Sequence, residues 1–221
     1  MPPPHFFNPW TVVSELVFTL IAVAFCFRFF LKTRESYDLT KHEGIRFFRD
    51  MFLFFGLSYA LRFIFGLTLA SRIAFDIFIP RHLLMPVFML PLSYFSTMAI
   101  MFMLFSSTWK RFEIKNAVLI GHVIAILLSL VAFMTRSPLV LLILQSVLLV
   151  IAVIAGFSFT KSHKKFSQVR ILYLLTAGLW LINLWVIDSR HPFPPGVDLF
   201  FQLVCVGVFI LIDRKISKWV R

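Results

Sequence analysis

Seven apolar runs, at 10–31, 45–67, 83–106, 117–134, 139–159, 169–187 and 197–212, take up most of this 221-residue chain. A helix rises about 1.5 Å per residue, so roughly 17–25 such residues cross the hydrocarbon of a bilayer. Lipid offers the backbone no hydrogen-bond partner, so only helices or closed barrels span it, and continuous runs of this length are helical. The sequence therefore predicts an all-α polytopic membrane protein: one domain over 1–221, a bundle of seven transmembrane helices. Composition agrees, since 60% of the residues are apolar, 29 are Phe and 14% are charged, too little polar surface for a water-soluble domain of this size. Pro86 and Pro91 fall in the third run and are expected to bend it near one end.

The charges fix an orientation. Arg28, Lys32, Arg34, Lys41, Arg46 and Arg49 follow the first run or open the second. Lys110, Arg111 and Lys115 follow the third, Lys161, Lys164, Lys165 and Arg170 the fifth, and Arg214, Lys215, Lys218 and Arg221 the seventh. The opposite flanks hold only Arg72, Arg81, Arg136 and Arg190. Basic flanks stay in the cytoplasm, which predicts an external N-terminus, a cytoplasmic C-terminus and a place in the cell membrane. The net charge of +12 is thus accounted for by membrane flanks facing anionic lipid, and no nucleic-acid partner is expected. Residues 1–10 have no basic region of the kind that opens a cleaved leader. Cys26 and Cys205 both lie inside apolar runs, which argues against a disulfide framework. In the loop 68–82, Ala70, Ile73, Ala74, Ile77 and Phe78 recur at helical spacing, as expected of an interfacial amphipathic helix.

Two halves of the chain resemble each other. An offset of 130 residues aligns Ile21-Ala22-Val23 with Ile151-Ala152-Val153, Phe27 with Phe157, Phe29 with Phe159 and Glu15 with Gln145. An offset of 121 aligns His42 with His163, Arg49 with Arg170, Gly56 with Ala177, Tyr59 with Trp180 and Arg62 with Asn183. For the third and seventh runs the best match is Trp109 with Trp219. Weak internal symmetry of this kind is how transporter repeats show in sequence. Two copies of a three-helix unit point the same way only if an inverting helix joins them, so the expected repeats are 10–111 and 139–221 with 117–134 as linker. This three-plus-one-plus-three plan resembles the superfamily of small sugar facilitators, KDEL-receptor-like proteins and microbial opsins. The resemblance is architectural and covers the whole chain. The seventh run has no lysine at its middle, where an opsin would hold retinal, and no Pro-Gln dipeptide of the sugar-facilitator kind occurs. The architecture alone names no substrate.

Ionisable and amide side chains inside lipid need a partner or a role. Glu15, Arg62, Gln145, Asn183 and Gln202 come from five different runs, each roughly 7–11 Å below the outer surface by helical rise. Tyr59 and Trp180 lie one turn deeper. These seven residues are the candidate substrate-binding set, an outward-facing polar pocket with an aromatic floor. The same residues also read as interhelical glue, with Glu15 paired to Arg62 and the amides bonded across helices. Asp50 beside Arg46 and Arg49 reads as a flank pair, and His122 as a hydrogen-bonded core histidine. Ser93, Ser96 and Thr97 share a face near the prolines and read as packing and backbone satisfaction.

Enzyme chemistry finds little support. His5, Asp76, His82, Asp188, His191 and Asp198 all fall on the external side and would make an intramembrane metal-dependent hydrolase conceivable, but no HxxxH or HExxH spacing puts two ligands on one helix face. Facing runs lack the paired histidines of a haem site. No catalytic residue, metal or cofactor is therefore expected. Two functions remain: a small-solute transporter or facilitator, and a seven-helix sensor or receptor that binds a ligand and signals through its basic loops to a cytoplasmic partner. With Cys26 and Cys205 replaced, single cysteines at Asn8, Ser162 and Ser217 test the orientation. A membrane-impermeant thiol reagent on intact cells should label the first alone, and labelling at Ser217 would reverse the topology.

Overall fold

The computed structural model describes residues 9–75, 81–109, 116–135, 137–158, 166–187 and 195–220. They form seven helices: α1 Pro9–Thr40, α2 Glu43–Phe75, α3 Arg81–Thr108, α4 Ala117–Thr135, α5 Pro138–Ser158, α6 Phe166–Ile187 and α7 Pro195–Val220. Three of them open on proline, whose missing N–H is no loss in a first turn and whose fixed φ suits a helix start. The turn from α1 to α2 is only two residues long. Lys41 holds a left-handed φ of 51° there while its N–H donates to the Tyr37 carbonyl at 2.7 Å.

Six helices carry segments long and apolar enough to cross a membrane: Val12–Thr40, Glu43–Ser71, Pro86–Thr108, Ala117–Thr135, Leu139–Phe157 and Gly196–Lys218. In α6 the apolar segment is the shorter Ile171–Ile182. With helices of this kind, the chain is an integral, multi-pass membrane protein that contacts lipid. The outward faces agree, since Leu20, Phe27, Ile64, Leu127, Ile143, Ile154 and Leu203 are all exposed, an arrangement stable only where the surrounding solvent is hydrocarbon.

The packing is a closed ring. α1 lies against α2 and α7, α2 against α3, α3 against α5, α5 against α6, and α6 against α7. α4 stands outside this ring, touching α3 and α5. Its inward face is a stripe of small residues, Gly121, Ala125, Ser129 and Ala132, all buried, and small residues are what let helices approach closely in lipid. At Gly121 a Cβ would come within 2.9 Å of the Phe105 ring.

Contacts between helix ends show successive helices running antiparallel. Glu15 early in α1 meets Arg62 late in α2, and Phe65 meets Phe88 early in α3. At the other end Ser106 of α3 reaches Gly44 early in α2 and Tyr173 early in α6. The second end carries Arg28, Lys32, Arg46, Arg49, Arg214, Lys215 and Lys218 and is the basic end below; the first is the Glu15 end.

Aromatic rings fill the centre. Phe29 packs against Phe52 at 4.9 Å, Phe25 stacks on Phe209 at 5.5 Å, and Phe55 lies between Tyr59 and Trp180 at 4.9 and 4.7 Å. Gly56 lets α1 approach α2 closely, since a Cβ there would lie 3.1 Å from Cys26 Cβ.

Two expectations are modified. α1, α2 and α7 run beyond their apolar stretches, because solvated turns rich in Lys, Arg, Glu and Asp have the propensity to continue a helix once lipid has nucleated it. Residues 68–75, expected to open a separate interfacial helix, continue α2 without a break; residues 76–80 lie outside those described. α3 runs unbroken through Pro86 and Pro91.

Candidate functional site

Glu15 sits about two turns into α1 and Arg62 five turns into α2, and the antiparallel packing brings them to the same height. Arg62 Nε donates to Glu15 Oε1 at 2.9 Å, with Arg62 9% exposed and Glu15 43%. The guanidinium is therefore the buried member and the carboxylate the one that reaches the mouth. Neutralisation is what allows an arginine so deep in an apolar bundle. Asp198, in the first turn of α7, lies close enough to Glu15 for the two carboxylates to repel each other.

One turn deeper on the same face of α2, Tyr59 is 2% exposed, and Trp180 on α6 is fully buried. The Tyr59 hydroxyl and the Trp180 indole N–H have no hydrogen-bond partner among the described residues. Buried donors are satisfied in the great majority of native structures, so two orphans sharing one phenylalanine neighbour stand out. Gln202 on α7 is buried one turn before Cys205, and the Cys205 thiol lies within electrostatic range of Arg62. At the Glu15 end the structure thus groups Arg62 with Glu15 and, one turn deeper, with Tyr59, whose neighbour Phe55 also packs on Trp180; Gln202 is buried on α7.

Gln145 is not part of it. Its amide nitrogen donates to Ser96 Oγ at 2.5 Å and Thr97 Oγ1 at 3.3 Å on α3. α5 packs against α3, and a carboxamide in lipid takes the nearest acceptors. Gln145 therefore ties α5 to α3. The side chain of Asn183 lies outside those described. His122 Nδ1 and the Tyr94 hydroxyl form a hydrogen bond of 2.7 Å between α4 and α3, the satisfied histidine expected. Asp50 pairs with Arg49 at 2.8 Å, while Arg46 turns to Glu43. Among the described residues no three His, Cys, Asp or Glu side chains are grouped to hold a metal; His5, Asp76, Asp188 and His191, and the side chain of His82, lie outside those described.

Sequence reasoning missed the polar cluster at the basic end. Asp213 of α7 accepts from Arg28 Nε at 3.0 Å, Arg28 Nη2 at 3.3 Å and Lys32 Nζ at 2.7 Å. Lys32 also donates to Ser217 Oγ at 2.7 Å. Arg28 and Lys32 are four apart, as are Asp213 and Ser217, so one face of α1 matches one face of α7. Between α3, α5 and α6 near the same end, Met103, Ala152, Val153, Gly156, Phe157, Tyr173 and Leu174 line an apolar groove enclosing about 280 Å³, open space included.

No family model matches this chain, and no solved structure matches it. A protein of Archaeoglobus fulgidus described as uncharacterized is similar, 30% identical over 212 residues, which span 94% of this chain and 93% of that protein.

Removing Glu15 takes from the buried Arg62 the carboxylate it is paired with. Glu15→Ala should destabilise the bundle by about 1–3 kcal/mol, and Arg62→Leu added to it should recover much of that loss. Denaturation of the two single mutants and the double mutant in detergent measures the coupling; additive effects would mean that the pair contributes nothing.

Proposed function

This chain belongs to the same family as the Archaeoglobus fulgidus protein, and we propose that it is a small-solute transporter or facilitator of the cell membrane. In this reading all seven helices cross, with the Glu15 end outside and the basic end in the cytoplasm. α1–α3 and α5–α7 are two pseudo-equivalent triplets joined by α4, and they rock against each other about the seams α1–α7 and α3–α5. The place of α4 outside the ring, on the α3–α5 seam, is what a linker of this kind needs.

The observation that carries the reading is the asymmetry of the α1–α7 seam. At the basic end Arg28 and Lys32 grip Asp213, while at the Glu15 end α1 and α7 share no ion pair among the described residues and bring two carboxylates, Glu15 and Asp198, within electrostatic range. A seam held by opposite charges at one end and bearing like charges at the other supports a bundle that parts more readily at the Glu15 end. Polar side chains buried behind that end (Arg62, Tyr59, Trp180 and Gln202) would bind the solute. On closing, the Asp213 contacts would be exchanged for ones at the outer end.

The sensor reading draws on a different observation. α1 and α7 continue as helices to Thr40 and Val220, and their basic ends offer a cytoplasmic partner a rigid platform.

Proteoliposome swelling separates the two. Under an inward gradient of a permeant solute, the protein should swell liposomes faster than the empty lipid does. An oxidised Arg28→Cys/Asp213→Cys pair should abolish the excess, and reduction should restore it. Swelling no faster than empty liposomes across sugars, polyols, amino acids and carboxylates would contradict transport.

A further inference from the structure

We propose that the solute is a small monocarboxylate with an apolar body, its carboxylate held by Arg62, Tyr59 and Trp180 in place of Glu15; the inference rests on the solute-binding reading above. The groups in the inner part of the site are donors. Arg62 contributes a guanidinium, Tyr59 a hydroxyl without a partner among the described residues, and Trp180 an indole N–H in the same condition. An indole N–H can only donate. A guest that satisfies this wall must bring acceptors, and two carboxylate oxygens offer about four lone-pair sites to Arg62 and its neighbours. A sugar hydroxyl can accept from these donors but brings no charge to offset Arg62 once Glu15 is displaced, and an ammonium would meet Arg62 as a like charge.

Glu15 already shows the arrangement. Its carboxylate on Arg62 Nε is an internal stand-in for the solute's, and at 43% exposure it can turn to water when displaced. A second negative charge on the solute would lie near Glu15 and Asp198, which limits it to one carboxylate. The remaining surroundings are rings: Phe18, Phe55 and Phe209 around Tyr59, and Phe55 against Trp180. They favour an apolar body over a polar one.

Benzoate, benzyl alcohol and benzylamine share a body and differ in head group. Titrated calorimetrically into the purified full-length protein, benzoate should bind at least about tenfold more tightly than either analogue. Glu15→Gln, which weakens the internal competitor, should tighten benzoate by about tenfold. Tyr59→Phe removes a buried hydroxyl, so the free protein should melt no lower, yet benzoate should bind several-fold more weakly. A merely structural tyrosine would not give that combination. The inference is overturned if benzoate fails to bind at millimolar concentration or binds no better than benzyl alcohol or benzylamine. It is equally overturned if both variants leave benzoate affinity unchanged. Benzoate binding without flux would remove the transport reading and keep this one; flux of a neutral or cationic solute without benzoate binding would do the reverse.

Discussion

Arg28 and Lys32 of the first helix reach Asp213 of the last at 2.7–3.3 Å, and much of the architecture follows from that closure. In hydrocarbon there is no hydrophobic force between helices, because lipid tails are as apolar as leucine. Helices are held by van der Waals packing and by the few polar groups they share. A chain-order series of helices packed each on the next would have two free ends. Joining α1 to α7 closes it into a ring and encloses the aromatic centre of Phe29, Phe52, Phe55, Tyr59, Trp180 and Phe209.

The same scarcity of polar groups organises the bundle elsewhere. Glu15 with Arg62 links α1 to α2, Gln145 with Ser96 and Thr97 links α5 to α3, and Tyr94 with His122 links α3 to α4. Each contact lies between helices that pack directly. Tyr59 and Trp180 break the pattern, because their polar atoms are buried in the centre of the ring without partners among the described residues. In a bundle whose few polar contacts hold helices together, two buried donors that make no such contact are where function is sought.

The helical bundle was legible because lipid imposes one rule on every segment: long apolar runs with basic ends become helices. Glu15–Arg62 was legible too, since two opposite charges at matched depth on adjacent antiparallel helices have few alternatives. Gln145 was legible only as one of two alternatives, pocket lining or an amide bonded across helices. Depth does not say which way an α5 side chain faces, and its bonds to Ser96 and Thr97 on α3 are of the second kind. Asp213 draws no attention by itself, standing beside Arg214 and Lys215 at the start of the basic tail. The available signal was the shared four-residue spacing of Arg28 and Lys32 with Asp213 and Ser217. The extension of α2 to Phe75 escaped because helical spacing in 68–82 marks a helix without saying where it joins the preceding one.

Transport as proposed above requires the α1–α7 seam to open and close at the basic end, with Asp213 as its latch. Spin labels at Arg34 and Lys218, with their separation measured by double electron–electron resonance in nanodiscs, test it most directly. The account predicts a dominant short distance in the otherwise native protein and a clear shift of population to a longer one when Asp213→Asn weakens the latch. A single distance, unmoved by Asp213→Asn, would contradict it.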